Sequence, residues 1–337
     1  MPIIVQKFGG TSLADLASRE NLVKKAQAAR SRGEQIVLVV SAMGRRGDAY
    51  ATDTLLELLS AFPGGENGLT KDLMASCGEV ISACVISTLL NSKGIAAVPM
   101  TAASAGIYAA GEFGDAQVLP IDPAKVRMIL DRGEVPVVTG FQGMDGEGRI
   151  LTLGRGGSDT SAVALGVALN ADFVDIYKDV PGVAKADPRI IPQAPFMDFL
   201  DYDSMYRLAN HGARVLHDKS ADLARATGMR IRVRSTSGEG EGTLIGPLGN
   251  RTPPTFIGLS TSPLPGGRVK VAAVFAAGRG KEGSAKARSF AKEWAATRSP
   301  VEVLEEKDPD AVVFSLPVEP KLSGGAYSFA QALFPLL

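Results

Sequence analysis

The chain has 337 residues, of which 45% are hydrophobic and 21% are charged, a balance that excludes intrinsically disordered and fibrous proteins. Lysine and arginine together number 36, as do aspartate and glutamate, so no overall field attracts nucleic acid or anionic lipid. The sequence contains no run of about 18 apolar residues and no basic N-terminal segment followed by an apolar stretch. We therefore expect no membrane span, no secretory signal and neither nucleic acid nor a membrane as a partner.

The first part of the chain predicts strands that alternate with helices. Residues 2–8 predict a strand that ends at Gly9 and Gly10, and Thr11 or Ser12 is expected to cap the helix that follows. The continuous apolar run 35–40 is typical of a parallel strand buried on both faces. The other predicted elements are helices at 53–60, 70–91 and 123–130 and strands at 95–100 and 135–139.

The alternation continues further along the chain. Glycine and aspartate spacing over 140–153 predicts a hairpin, and the loop 154–159 opens a helix at 160–169. Strands are predicted at 172–177 and 230–233, and helices at 203–210 and 217–227. This order predicts an α/β fold, an αβα sandwich around a mostly parallel sheet.

A change in composition at 247–254 predicts a domain boundary. We expect a large domain over 1–247 and a single small α+β domain over 255–337, which is either complete or lacks its last strand. In the small domain the predicted order is strand 268–275, helix 284–297, strands 301–305 and 311–318, and helix 327–333.

The cysteines and histidines are few. Cys77 and Cys84 are seven residues apart in a predicted helix, or about 10 Å, which is too far for a disulfide that needs Cα atoms within about 7 Å. We expect free, buried thiols and a reducing, cytoplasmic compartment. His211 and His217 lack a third ligand at metal-site spacing, so no metal site built from protein side chains is expected.

The segment that runs from Lys7 through Gly9, Gly10, Thr11 and Ser12 lies between a strand and a helix. Glycine lets backbone approach a ligand closely, and a helix start offers unpaired N–H groups and a positive dipole end. Lysine adds a compact positive charge suited to phosphate. The segment is either a phosphate-binding loop or a tight turn beside a surface lysine.

A second loop, GRGGSDT, has a similar arrangement with a different charge pattern. Arg155 can hold a carboxylate through two hydrogen bonds, Gly156 and Gly157 leave room for a bound group, and Asp159 lies in the first helical turn. Neither loop is a P-loop or a dinucleotide fingerprint, and the protein-kinase signatures are missing, which disfavours those three enzyme classes. Two cationic glycine loops in one α/β domain favour a binding function.

Six segments stand out along the chain: VQKFGGTS at the start, SCGEVIS at 76–82, VTGFQG at 138–143, LTLGRGGSDTSAVALG at 151–166, DIYKDVPGVAKADPRI at 175–190 and GARVLH at 212–217. Together they resemble the aspartokinase branch of the amino-acid kinase family. They follow the family's order and cover about residues 3 to 246. The resemblance implies the amino-acid kinase fold for 1–247 and an ACT-like region for 255–337.

Carried over residue by residue, the resemblance implies three groups of site residues. The catalytic pair would be Lys7, at the transferred phosphoryl, and Asp159 beside it. The residues implied for phosphate or nucleotide binding are Gly9, Gly10, Thr11, Ser12, Gly156, Gly157, Lys178, Asp179, Arg189 and Arg214. The residues implied for amino-acid binding are Thr52, Glu79 for the ammonium group, Arg155 for a carboxylate, and Ser158.

The resemblance also implies the reaction. ATP, with Mg²⁺, would phosphorylate the side-chain carboxylate of L-aspartate to give 4-phospho-L-aspartate, a step toward lysine, threonine and methionine. A carboxylate of reference pKa about 4 is ionised at neutral pH, so no general base is needed and Asp159 would position groups or associate with Mg²⁺. A homodimer is expected because ACT-like modules tend to pair.

Some positions depart from the family pattern. Lys178 stands where threonine is more usual, and Arg214 stands where lysine is usual. After position 247 the chain has room for one ACT-like unit where end-product-sensing members carry two, so weak feedback regulation is expected. Two alternatives stay open: a kinase for another small carboxylate such as acetylglutamate, and a non-catalytic regulatory or binding paralogue.

Overall fold

A computed structural model describes residues 1–213, 215–318 and 325–337. The chain divides into two compact units: unit 1 comprises Met1–Pro181 and Asp222–Leu244, and unit 2 comprises Gly182–Ala221 and Ile245–Leu337. Residues 182–221 thus group with the C-terminal part of the chain, which the sequence did not indicate. The boundaries 1–247 and 255–337 stay predictions.

The strands and helices follow one another closely along the described residues. The strands are β1 (Ile3–Phe8), β2 (Gln35–Val40), β3 (Ala97–Met100), β4 (Ala109–Ala110), β5 (Gln117–Val118), β6 (Val135–Thr139), β7 (Gln142–Met144), β8 (Ile150–Thr152), β9 (Phe173–Lys178), β10 (Phe199–Asp201), β11 (Ile231–Ser235), β12 (Thr243–Gly246), β13 (Phe256–Leu264), β14 (Arg268–Phe275), β15 (Glu302–Leu304) and β16 (Ala311–Pro317). The α-helices are α1 (Leu16–Ser31), α2 (Thr52–Glu57), α3 (Gly68–Ser92), α4 (Ala124–Asp131), α5 (Gly157–Leu169), α6 (Tyr202–Asn210), α7 (Asp218–Thr227), α8 (Gly280–Thr297) and α9 (Ala326–Leu333).

A mostly parallel sheet forms the centre of unit 1, with strand order β12–β11–β9–β1–β2–β6–β3. Strand β1 pairs in parallel with β2 on one side and with β9 on the other, and β6 pairs in parallel with β2 and β3. Because parallel strands end at the same edge, the residues after β1, β2, β6 and β9 meet there. The predicted parallel sheet with helices is confirmed.

The core of unit 1 explains why the apolar runs become central strands. Ile4 and Phe8 of β1 and Leu38 of β2 are buried together with Leu22 of α1 and Ile86 of α3. Burying one such side chain contributes about 1.5–3 kcal/mol, so strands covered by helices on both faces are strongly favoured for this sequence.

Helix α3 is long and apolar enough to cross a membrane by length and composition, but half of its apolar window is buried inside the protein. Glycine, serine and acidic residues of this helix face the interior, and Gly78 and Glu79 are among the buried ones. A buried core helix passes the same test, so α3 is weak support for a membrane span. On its outer side Cys84 is exposed and Cys77 half-buried, so the prediction of buried thiols was wrong, whereas both cysteines are free as predicted.

Unit 2 contains an antiparallel sheet of order β13–β14–β16–β15. One face packs on α8 and α9 through a core that includes Phe275, Trp294, Phe314 and Phe329. This small β-rich region with two helices fits the expected ACT-like fold. Strand β13 was not predicted, and it adds a strand before the predicted first one.

Candidate active site at the carboxyl edge of the sheet

A cleft of about 390 Å³ lies in unit 1 at the carboxyl edge of the parallel sheet. We call it the carboxyl-edge cleft. Both cationic glycine loops contribute to it, so Lys7 and Arg155 line the same cleft. The lining residues are Lys7, Gly10, Ser41, Ala42, Gly44, Arg45, Arg46, Ala51, Thr52, Asp53, Glu79, Phe141, Gly154, Arg155, Gly156, Gly157, Ser158, Asp159 and Lys178.

Asp159 is held between two lysines. Lys7 Nζ lies 2.7 Å from Oδ1 of Asp159, and Lys178 Nζ lies 3.1 Å from Oδ2. Burial alone would raise the pKa of Asp159, but the two ammonium groups outweigh it and hold this pKa well below its usual range. Burial lowers the pKa of Lys7, and the charge of Lys178 lowers it further, while Asp159 opposes both effects. Asp159 is therefore ionised and serves as the counter-ion of both lysines.

The first glycine loop follows β1 and turns through a short 3₁₀ helix, Gly10–Ser12. A Cβ atom on Gly10 would lie 2.6 Å from the carbonyl oxygen of Ala42 and 2.7 Å from that of Gly44, so only glycine fits. The hydroxyl of Ser12 lies 2.7 Å from that of Thr236, which hydrogen-bonds the carbonyl of Lys178 at 3.1 Å. These contacts connect the loop to the end of β9.

The second glycine loop starts α5. Gly156 precedes the helix in the left-handed conformation, at φ 71°, and Asp159 lies in the first turn. A Cβ atom on Gly157 would lie 2.9 Å from the ring of Phe141, so the loop packs closely against the end of β6. The Arg155 side chain is exposed and has no ion pair in the described part of the chain. An anion entering the cleft would meet it together with the start of α5.

Glu79 is a buried carboxylate at the base of the cleft. Its Oε1 atom accepts a hydrogen bond from the backbone amide of Ala42 at 2.9 Å, whereas Oε2 is buried without a partner in the described residues. Burial raises the pKa of Glu79 to about 8, although the amide of Ala42 and the charge of Lys7 favour the ionised form. An unpartnered carboxylate oxygen can accept from a ligand cation such as an ammonium group.

The remaining predicted site residues lie in different places. Thr52 begins α2 and lines the cleft, and the Ser158 hydroxyl accepts a hydrogen bond from Ser41 at 3.0 Å. Asp179 is exposed and pairs with Arg45 at 3.3 Å. Gly9 and Thr11 belong to the first glycine loop without being among the lining residues.

Two further predicted nucleotide-binding residues lie outside the described part of unit 1. Arg189 belongs to unit 2, where its exposed guanidinium pairs with Asp187 at 2.7 Å. Arg214 lies outside the described residues. Their roles stay predictions, as do those of the other site residues.

Several lining residues were missed by the sequence reasoning, namely Ser41, Ala42, Gly44, Arg45, Arg46, Ala51, Asp53, Phe141 and Gly154. Most of them directly follow β2 or β6, so the rule that sites form at the carboxyl ends of parallel strands would have found them. Phe141 has an unusual backbone, with φ at 70°. The Phe141 carbonyl accepts a hydrogen bond from the Leu153 amide at 2.9 Å, and the Phe141 amide donates one to the Ser161 hydroxyl at 3.1 Å. These two hydrogen bonds hold the unusual conformation.

The charges of the cleft suit an anion beside a zwitterion. Lys7, Lys178 and Arg155 bring positive charge, and Asp159 neutralises only part of it. No cluster of three or more histidine, cysteine or acidic side chains that could hold a metal ion occurs among the described residues. The arrangement can therefore hold a phosphate chain near the lysines and an amino acid near Glu79 and Arg155.

Comparison with protein families gives one match over most of the chain. The model of the amino acid kinase family matches residues 2–235. Aspartokinase 1 of Bacillus subtilis (strain 168) is 42% identical over 245 residues, which are 73% of this chain and 61% of that protein. The aspartokinase of Corynebacterium glutamicum is 40% identical over 246 residues, 73% of this chain and 57% of that protein. The chain thus spans about three fifths of the length of these relatives.

Solved structures give the same family. Aspartate kinase from Synechocystis has a TM-score of 0.64 and 31% identity and covers 99% of this chain, while the chain covers 55% of it. E. coli aspartokinase III in complex with aspartate and ADP has a TM-score of 0.66 at 22% identity. The match covers 99% of this chain and 83% of that chain. The latter likeness concerns the fold alone.

Proposed function

The chain belongs to the amino acid kinase family, and on this basis we propose that it is an ATP-dependent aspartate kinase that phosphorylates the side-chain carboxylate of L-aspartate. The observation that carries the proposal is the carboxyl-edge cleft, in which Lys7, Asp159 and Lys178 lie together with Glu79 and Arg155. Relatives named aspartokinase at about 40% identity support the choice of aspartate.

In this proposal the two ends of the cleft bind different ligands. The γ-phosphate of ATP lies at Lys7 and Lys178, with the first glycine loop and the N-terminus of α5 donating backbone N–H groups. The amino acid binds with its ammonium group at the free Oε2 atom of Glu79 and a carboxylate at Arg155, with Thr52 and Ser158 nearby. Asp179, Arg189 and Arg214 stay proposed for the nucleotide.

The chemistry requires alignment and charge neutralisation. The attacking side-chain carboxylate is ionised at neutral pH, so no residue has to remove a proton from it. Its oxygen attacks the γ-phosphorus, the bond to the β,γ-bridging oxygen breaks, and the products are 4-phospho-L-aspartate and ADP. Lys7 and Lys178 offset the charge on the transferred group, and Asp159 holds both ammonium groups in place.

Mg²⁺ is proposed to enter as part of the MgATP substrate. The described residues offer no multi-carboxylate cluster for a resident ion. Both carboxylate oxygens of Asp159 already contact lysines. Asp159 is therefore better suited to hold the two lysines in place than to bind a metal ion directly. When bound, the ion would neutralise phosphate charge alongside the lysines.

The decisive experiment is a coupled ADP-release or hydroxamate assay with MgATP. We expect turnover with L-aspartate and much less with L-glutamate, N-acetylglutamate or no acceptor. Arg155→Ala should raise KM for aspartate by about tenfold or more, because a charge-assisted bidentate contact is lost. Turnover with another small carboxylate would replace aspartate as the substrate, and ligand binding without any turnover would favour a non-catalytic paralogue.

Compartment and assembly are part of the proposal. We place the enzyme in the cytoplasm, in keeping with the free thiols of Cys77 and Cys84. A homodimer is supported by β15, which pairs with β16 alone among the described strands and so leaves a sheet edge available. Light scattering of the purified chain would give one protomer mass if this assembly is wrong.

A further inference from the structure

The buried carboxylate of Asp72 on α3 joins two segments that are distant in the sequence. Its Oδ2 atom accepts hydrogen bonds from the backbone amides of Thr152 at 2.7 Å and Gly114 at 3.0 Å. Its Oδ1 atom accepts a hydrogen bond from the Thr152 hydroxyl at 3.0 Å. Asp72 is only 3% exposed. Its three hydrogen bonds are buried and fix the end of β8 against the segment around Gly114.

The end of β8 leads directly into the second glycine loop. Thr152 is three positions before Arg155, and its carbonyl accepts a hydrogen bond from Ala116 at 3.0 Å. Gly154 has φ at 73°, and a Cβ atom there would lie 2.9 Å from Oδ1 of Asp115. The backbone before Arg155 is therefore held from two sides, although the Arg155 side chain itself is exposed.

The same helix carries Glu79, seven residues after Asp72 and about 10 Å further along its axis. Glu79 holds the loop after β2 through the amide of Ala42. Helix α3 thus supports both ends of the proposed amino-acid site, one through Glu79 and the other through Asp72, Thr152 and the loop of Arg155.

We infer that Asp72 is a positioning residue that sets the place of Arg155 relative to Glu79, and thereby the length of the amino acid that the site accepts. The inference rests on the proposed function, because it takes Glu79 and Arg155 as the two substrate contacts. A site in which one rigid helix carries one contact and holds the backbone that leads to the other discriminates between acceptors that differ by one methylene group, such as aspartate and glutamate.

Two substitutions separate positioning from charge. In Asp72→Asn the amide oxygen can accept from Thr152 and Gly114, and the amide nitrogen can donate to the Thr152 hydroxyl, so all three contacts persist without the charge. In Asp72→Ala the two backbone amides lose their buried acceptor. Thr152→Val removes only the hydroxyl contact and serves as a milder variant if Asp72→Ala does not fold.

Asn91 provides a matched control at the far end of α3, about 28 Å from Asp72. Its side chain accepts from the Ala97 amide at 2.9 Å and donates to the Ala97 carbonyl at 3.0 Å. Asn91→Ala therefore also removes hydrogen bonds that tie α3 to a following segment, but outside the cleft. It should lower the free energy of unfolding without changing KM for aspartate.

The experiment compares steady-state kinetics with aspartate, glutamate and MgATP for the wild type and these variants. We expect Asp72→Ala to raise KM for aspartate about tenfold, to reduce discrimination against glutamate and to leave KM for MgATP within about twofold. Asp72→Asn should stay close to the wild type, and Thr152→Val should shift KM for aspartate in the same direction as Asp72→Ala but less. Hydrogen exchange at Thr152 and Gly114 should become faster in Asp72→Ala.

Three results would overturn the inference. Folded Asp72→Ala with unchanged KM for aspartate would do so, as would equal KM increases in Asp72→Ala and Asn91→Ala. If Asp72→Ala does not fold, an unchanged KM in Thr152→Val would overturn it as well. By contrast, a wild type without aspartate-dependent turnover would defeat the proposed function itself, and the inference with it.

Discussion

The ammonium group of Lys178 lies 3.1 Å from Oδ2 of Asp159, on the oxygen that Lys7 does not contact. Strands β1 and β9 are neighbours in the sheet, so their ends bring the two lysines to one carboxylate. The three charged groups leave an excess of positive charge at the position where we propose the γ-phosphate. We therefore propose Lys178 as a second phosphate contact, at a position where the family pattern has threonine more often.

Replacement of Lys178 tests this second cation. We expect Lys178→Met to lower kcat/KM for MgATP about 10- to 100-fold, the loss of one charge-assisted hydrogen bond to phosphate, while Lys7 still pairs with Asp159. Steady-state kinetics would measure the change. Lys24→Met on the exposed side of α1 removes the same charge away from the cleft. Equal kcat/KM values for the two variants would contradict a phosphate contact at Lys178.

Gly10→Ala tests the close approach of the first glycine loop to the loop after β2. The added Cβ would lie 2.6 Å from the Ala42 carbonyl and 2.7 Å from that of Gly44, so backbone must shift. We expect a loss of about 1–3 kcal/mol in the free energy of unfolding and weaker binding of MgATP, measured by denaturant unfolding and calorimetry. Gly146→Ala, where an added Cβ meets nothing within 4 Å, is the control and should change neither quantity.

Glu79 should make stability depend on pH. Burial raises its pKa to about 8 from an ordinary value of 4.5. Below 4.5 the carboxyl is protonated in both folded and unfolded states, and its contribution to stability is fully present. As pH rises toward about 8, the unfolded state releases this proton first, so the free energy of unfolding falls through that window. Glu79→Gln cannot ionise and should show a flatter pH dependence in urea unfolding; identical slopes would exclude Glu79 as the cause.

The same group should make aspartate binding depend on pH. Below pH 8 the carboxyl of Glu79 carries a proton that must leave before it can bind the ammonium group of the substrate. We expect KM for aspartate to fall as pH rises from 6 to 8, by up to about tenfold per unit, with KM for MgATP unaffected. Kinetics over this range would measure both constants. Parallel changes in the two constants, or the same aspartate profile in Glu79→Gln, would argue against the assignment.

Long apolar runs made much of the fold predictable. Strands β2 and β14 occupy the predicted residues 35–40 and 268–275, and the burial of their apolar side chains fixes their register. The predicted start of α1 was wrong. Thr11 and Ser12 belong to a 3₁₀ helix, and the side chain of Asp15 caps α1 by accepting from the Ser18 amide at 2.7 Å. Several capping residues in a row leave this choice open in sequence.

Strand β13 shows why another element was missed. The segment FIGLSTSPL contains glycine, serine and proline, which are weak strand formers, so its own propensity does not indicate a strand. Its stability comes from the antiparallel pairing of Phe256–Leu264 with β14. Pairing of this kind is a tertiary effect that a local pattern does not contain.

The candidate site also combines local features that a sequence reveals with contacts between distant segments that it does not. The glycine loops are local features and could be recognised in the sequence, whereas the neighbourhood of Lys7 and Asp159 was implied by the family resemblance; their side chains lie 2.7 Å apart. Contacts such as Lys178 with Asp159, or Asp72 with Thr152, depend on strand order and register between distant segments. A single sequence does not specify such register, so these contacts could be found only from the structure.

Strand order also has a consequence for the way this protein is made. Ile4 at the start of the chain pairs with Phe173, so the middle of the sheet cannot close before β9 has left the ribosome. At about 5–20 residues per second this delay is on the order of ten seconds or more. During that time the apolar edge of β1 lacks its neighbour, and nascent chains are then most exposed to aggregation and most dependent on chaperones.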